Sequence, residues 1–189
     1  MKSLRSSNNY YERIKPRLYR RIGRGLRVAH RVVDFGCGSC ELARFLRDAY
    51  RQRVTGIDTS EEGFPGDGRR SRGRGQIKCV KADATDVGFI RGGTVDAVVS
   101  MWALHEMNEP NRVLGEAYRI LRPGGEILIV DFPRDSLAQR LWNEDYYSVE
   151  EIDLMMNEAG FSDVTAKTIE RRQIIWAEGF RPSSERIHT

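Results

Sequence analysis

Apolar and polar positions along this 189-residue chain follow two alternating periods. Short apolar runs recur at 32–35, 53–57, 77–81, 95–100 and 126–131. Between several of them, apolar residues return every three or four positions. The first pattern predicts buried strands, the second amphipathic helices. Tyr11, Ile14, Leu18 and Ile22 form the inner face of a helix expected over 10–29, with Leu18 and Tyr19 both placed to reach it. Leu42, Phe45, Leu46 and Ala49 mark a helix over 40–50. Asn108-Glu109-Pro110 opens another, striped by Val113, Leu114, Ala117, Ile120 and Leu121 and stopped by Pro123-Gly124-Gly125. Ser148-Val149-Glu150-Glu151 is a capping box, and its helix ends at Gly160. Two final strands, about 163–169 and 173–178, can pair as a hairpin. Strands alternating with helices imply a parallel sheet, and the terminal hairpin gives it an antiparallel edge strand. Residues 61–76 hold five glycines and a proline, which predicts a mobile loop rather than a helix, open to cleavage at Arg69, Arg70, Arg72 and Arg74.

Composition narrows the class. The length suits a single domain over 1–189, a helical segment at 10–29 followed by a core at 31–180. Net charge is +4, with basic residues concentrated in 12–31 and 69–78. A nucleic-acid partner would use such charge, but few aromatics interleave with the arginines, so a solvated basic surface is favoured. Three cysteines, Cys37, Cys40 and Cys79, are an odd and low number, and no disulfide framework is expected. Cys37-Gly38-Ser39-Cys40 has the spacing of half a zinc site without a second pair, so no metal site is expected and the thiols are not expected to converge. The first residues carry no apolar run, and Ile127 to Val130 is too short to span a membrane, so a soluble cytoplasmic chain is expected.

The chemistry is concentrated after the first strand. Val32 and Val33 run into Asp34-Phe35-Gly36-Cys37-Gly38, and a helix follows. A strand, glycine turn and helix place a nucleotide-type ligand at the strand's C-terminal end. Asp58 ends the next strand, 20 residues beyond Gly38, where an acid can accept both hydroxyls of a ribose. A dinucleotide fingerprint would put a third glycine at the position of Glu41. Asp34 and Glu41 would also repel a pyrophosphate at this helix start. They suit a ligand with a cationic amino-acid end, and adenosine joined to such an end is S-adenosylmethionine (SAM).

In these residues the chain resembles the class I SAM-dependent methyltransferases, whose first motif is Asp-x-Gly-x-Gly. The resemblance runs over roughly residues 10 to 180. Val80-Lys81-Ala82-Asp83-Ala84 is similar to the third-strand motif, Val95 to Trp102 to the fourth strand and its loop, and Tyr118 to Gly125 to the helix end before the fifth strand. The nearest group is the small-molecule type that includes the ubiquinone and menaquinone C-methyltransferases. The resemblance implies an α/β, Rossmann-like, doubly wound and mostly parallel seven-stranded sheet with a C-terminal antiparallel hairpin strand. It implies SAM as cofactor, held by Asp34, Gly36, Cys37, Gly38, Asp58, Thr59, Asp83, Ala84, Ser100, Trp102 and Tyr11.

Methyl transfer from a sulfonium needs an in-line nucleophile, and a base only where that nucleophile must lose a proton. His105 is the candidate base, with Ser100, Trp102, Glu106 and the Tyr146–Tyr147 segment around it; a structural His105–Glu106 pair is the alternative. The loop after the fourth strand lacks the sequences of adenine-N and cytosine-C5 enzymes. The expected function is methylation of a small molecule. Methylation of RNA or protein, and a SAM-binding module without transfer, stay open.

Overall fold

The computed structural model describes residues 2–65 and 75–183, with side chains from Tyr10 onward. The elements run α1 (Lys2–Gly25), β1 (Arg31–Phe35), α2 (Glu41–Tyr50), β2 (Arg53–Asp58), β3 (Gln76–Lys81), β4 (Val95–Met101), a short 3₁₀ turn (Leu104–Glu106), α3 (Pro110–Ile120), β5 (Leu121–Asp131), α4 (Leu137–Trp142), α5 (Val149–Glu158), β6 (Ser162–Ile169) and β7 (Ile174–Phe180). They form a seven-stranded sheet of order β3-β2-β1-β4-β5-β7-β6. The strands from β3 to β5 are parallel, and β7 pairs antiparallel with both β5 and β6.

Alternation along the central strands divides two cores. Val32, Ala97, Val99, Leu128 and Val130 face α1, α2 and α4. Val33, Phe35, Val98, Ile127 and Ile129 face α3 and α5. Both faces of β4 and β5 are therefore apolar, as parallel strands covered on both sides require. The reversal of strand order lies between β1 and β4, so the crevice at their C-terminal ends is the place for a ligand.

Several expectations need correction. Helix α1 starts at Lys2 and stops at Gly25, not at 10 and 29; Gly23 and Gly25 weaken the helix there, and Leu26 enters the core beyond its end. The core takes Leu18, while Tyr19 is only half-buried. Helix α3 ends at Ile120 rather than at the Pro-Gly-Gly, because Leu121 is already extended and paired with Val95 as the first residue of β5. The terminal hairpin forms as expected: β6 is the edge strand, antiparallel to β7, and β7 lies beside β5. Helix α4 went unforeseen: its six residues are too short to show a period, although Ser136 caps it through the Gln139 amide. The cysteines do converge, with Cys40 and Cys79 joined as a disulfide beside the Cys37 thiol. Residues 61–65 are turn and coil, and the mobility and cleavage expected of the loop fall on 66–74, outside the described residues.

Candidate functional site

The turn after β1 folds over the end of β2. The amides of Gly36 and Cys37 both donate to the Ile57 carbonyl, at 2.8 and 3.1 Å. Gly36 has φ +70°, and a Cβ there would collide with the Cβ of Ala103 on the segment after β4. The missing side chain thus lets the two loops of the crevice approach each other. Gly38, at φ +48°, has nothing within 4 Å of the position its Cβ would take, so the turn is open toward a ligand.

Three acids are ordered around this turn. Asp34 is buried, and its Oδ2 has no partner among the described residues. Burial, then the charge of Asp58, push its carboxyl up to about 8. Asp58 is half-buried; its Oδ2 accepts from the Gly38 amide at 2.8 Å and its Oδ1 from the Ser60 amide at 3.0 Å. The Ala82 amide donates to the Asp58 carbonyl at 2.9 Å, which brings Asp83 and Ala84 alongside. Asp83 is exposed, and its bonds from the Thr85 amide and hydroxyl hold it below the usual carboxylate range. Thr59 is exposed next to Asp58, whereas the Cys37 thiol is turned inward, 3.4 Å from Cys40 Sγ.

The second half of the crevice is aromatic. Trp102 has φ +59°, and its amide donates to Val130 O at 2.8 Å. Its ring stacks on Phe132 at 5.1 Å, and its indole N–H is buried without a partner among the described residues. Ser100 is buried in β4 with its hydroxyl likewise unpartnered. Tyr11 is buried on α1 and meets Phe132 edge-on at 4.9 Å and Trp102 at 6.1 Å. Tyr146 is buried against the His105 ring at 4.5 Å.

His105 sits on the 3₁₀ turn with its side chain 3% exposed. Its Nδ1 lies 2.7 Å from Oδ1 of the buried Asp131, whose Oδ2 accepts the His105 amide at 3.1 Å. A carboxylate at Nδ1 places the proton there and leaves Nε2 as the free nitrogen. Nε2 lies 3.4 Å from Glu144 Oε2 and 3.8 Å from Glu106 Oε1. Burial works against the imidazolium, but the bond and charge of Asp131, with Glu106 and Glu144, outweigh it and raise the pKa. Ala103 and Met107, on either side of His105, lie against Gly36, so the histidine pocket adjoins the turn. The ligand atoms of His105, Glu106 and Glu144 lie within 4.8 Å of one another; both glutamates are exposed, an arrangement common without an ion, and no metal role is assigned to them.

The structure therefore gathers Asp34, Gly36, Gly38, Asp58, Asp83 and Ala84 at one end of the crevice, and Trp102, Tyr11 and His105, joined through Phe132, at the other, while Ser100 stands in register with Phe35 of the opposite core. Asp131, Phe132 and Glu144 were missed. Asp131 carried the signal that singled out Asp58, an acid at the C-terminal tip of a buried strand. Glu144 carried none.

A family profile described as a methyltransferase domain matches residues 33–129, just over half of the chain. The chain belongs to the class I SAM-dependent methyltransferases. Among its curated relatives, a demethylmenaquinone methyltransferase of Thermus thermophilus is 30% identical over 105 residues, covering 54% of this chain and 47% of that protein. A ubiquinone/menaquinone biosynthesis C-methyltransferase of a Ruegeria species is 29% identical over 136 residues, covering 68% and 53%. The chain spans about half the length of the curated relatives it matches. A SAM-dependent methyltransferase from Archaeoglobus fulgidus superposes with a TM-score of 0.73 at 18% identity, over 89% of this chain and 93% of that one. That likeness bears out the seven-stranded Rossmann-like fold.

Proposed function

We propose that the chain transfers a methyl group from SAM to the hydroxyl of a small molecule bound beside His105. The observation that carries this reading is the buried Asp131–His105 pair, whose Nε2 is turned to Glu144 and to Glu106, the latter on the segment that packs against Gly36 through Ala103. The residues fit SAM: Asp34 offers an unpartnered buried oxygen to an ammonium, Asp58 suits a ribose, and the space over Gly38 is free. When bound, SAM supplies an activated methyl group on a sulfonium. The chain's own work is then to place and deprotonate the acceptor. His105 Nε2 takes the hydroxyl proton, Asp131 holds the ring in the required tautomer, and Glu144 and Glu106 stabilise the imidazolium. Trp102, Phe132 and Tyr146 exclude water around it. The names of the menaquinone and ubiquinone relatives support a small-molecule acceptor.

Turnover of methyl-labelled SAM against phenolic and quinol compounds, RNA and protein tests the proposal. Label should enter the small molecules, and His105→Ala should lower that turnover by about 10²–10⁴-fold with SAM affinity nearly unchanged. Label entering only RNA or protein, or SAM binding without transfer to any pool, would overturn it.

A further inference from the structure

Three sulfurs from three elements meet beneath the cofactor turn. Cys37 lies in that turn, Cys40 is the N-cap of α2, and Cys79 lies within β3. Cys40 and Cys79 form a disulfide with their Cα atoms 6.9 Å apart, and the free Cys37 Sγ is 3.4 Å from Cys40 Sγ. Their shared hollow is created by a glycine. Asp34, Gly56 and Cys79 stand opposite one another on β1, β2 and β3, so they belong to one face of the sheet. A Cβ on Gly56 would lie 2.8 Å from Cys37 Sγ and 3.1 Å from Cys40 Sγ, leaving no room for both sulfurs.

The surroundings of the hollow favour a cation. Cys40 is fully buried and Cys37 nearly so. Asp34 and Asp58 both act on Cys37, and among the described residues no basic side chain acts on Asp34. Asp34 Oδ2, in the same row, is buried without a partner among the described residues. Burial, then the charges of Asp34 and Asp58, push the Cys37 thiol up to about 12, so its proton leaves only when a cation takes its place. Sulfur donors in this number select thiophilic ions, and Cys-x-x-Cys is half of a zinc set whose third member β3 provides.

We propose that Cys37, Cys40 and Cys79, once the disulfide is reduced, form a three-thiolate site for a thiophilic divalent cation of the Zn²⁺ kind. A dithiol passes two electrons and two protons to the Cys40–Cys79 bond, giving two thiols and the dithiol's own disulfide. The cation then binds the three sulfurs and their protons leave to solvent. At a Zn–S length of about 2.3 Å, tetrahedral sulfurs stand roughly 3.8 Å apart, so the Cys37–Cys40 contact has to widen only slightly. Oxidation ties up two of the ligands, so the site exists only in the reduced chain.

The test needs no methyl transfer, so its outcome is independent of the proposed activity. The reduced full chain is titrated with Cd²⁺, and the ultraviolet thiolate-to-cadmium band is followed with circular dichroism as a check on folding. The band should saturate at a single Cd²⁺ per chain. It should shrink and shift to higher Cd²⁺ in Cys79→Ser, and shift in Gly56→Ala, which keeps every thiol but fills the hollow. Cys37→Ala serves in place of Cys79→Ser should that variant not fold. No band in the folded, reduced chain, or a band that loss of Cys79 or Cys37 leaves unchanged, would overturn the proposal.

Discussion

Asp34 is a buried carboxylic acid whose Oδ2 has no partner among the described residues. Its pKa of about 8 means that the folded chain holds a proton that the unfolded chain releases near the ordinary carboxyl value. The folded state therefore binds more protons between those two values, and stability falls as pH rises across that window. Asp34→Asn should remove the slope and raise the melting temperature near pH 7, consistent with a penalty of a few kcal/mol. It should also weaken SAM. An unchanged melting profile from pH 5 to 8 would show that Asp34 is ionised and compensated. His105 has the opposite charge type and a raised pKa, so its stabilising contribution is present at low pH and lost as pH rises through that value. As a base it works only when neutral, so turnover should climb with pH through an inflection above the usual histidine range. Asp131→Asn should move the inflection down; a flat profile in the parent chain would retire His105 as the base. The place of Asp58 at the tip of β2 was legible, but its bond from the Gly38 amide was not, because a sequence does not say which backbone group a carboxylate will meet. Asp58→Ala should thus cost SAM affinity twice, through the lost hydroxyl contacts and through a loosened turn. Calorimetry giving parent affinity would contradict both roles.

Elements were legible where a local signal closes them and obscure where a distant residue does. The capping box at Ser148 and Glu151 formed as read, since both partners lie within one turn, with the Glu151 amide donating to Ser148 Oγ at 3.2 Å and the Ser148 amide to Glu151 Oε2 at 2.6 Å. The end of α3 is closed differently. Arg181, beyond β7, sends Nη1 to the carbonyls of Tyr118, Arg119 and Leu121 at 3.1, 3.1 and 2.6 Å. Tyr118 and Arg119 belong to the last turn of α3, whose carbonyls lack intrahelical donors, and Arg119 O also accepts from the Gly93 amide at 3.0 Å. The Arg181 guanidinium also lies 4.9 Å from the centre of the Tyr118 ring. No pattern around residue 120 could announce a cap 60 residues away. Arg181→Ala should destabilise the chain by about 1–3 kcal/mol, the range for unsatisfied, half-buried acceptors. A denaturant midpoint within error of the parent would mean that water caps the helix equally well.

At the scale of the molecule, the face that carries the aromatic crevice is assembled from both ends of the chain. Helix α1 reaches the turn between β6 and β7, where Tyr10 donates to the Glu170 carbonyl at 2.8 Å and Arg17 pairs with Glu170 at 2.9 Å. Gln173 is the junction. Its Oε1 accepts from the Tyr11 hydroxyl at 3.3 Å and from the Leu137 amide at the start of α4 at 2.8 Å. One amide oxygen thus joins α1, α4 and the hairpin, and through Tyr11 it fixes a ring that packs on Phe132 and Trp102. Local periodicity revealed the inner face of α1 but not its destination, because burial demands an apolar neighbour without naming it. Gln173→Ala leaves the half-buried Leu137 amide without its acceptor and removes one of the partners of the Tyr11 hydroxyl, which also meets Ser136 and Ala138, a loss of about 1–3 kcal/mol at most. That loss falls on contacts between elements rather than on the sheet, so it should appear as local opening. Hydrogen exchange at amides of α1 between residues 14 and 22 should accelerate, while amides of β1, β4 and β5 keep their protection. If the loss instead spreads evenly, with the central strands exchanging faster by the same factor as α1, then the helix is part of one cooperative unit and Gln173 is not a separable latch over the crevice.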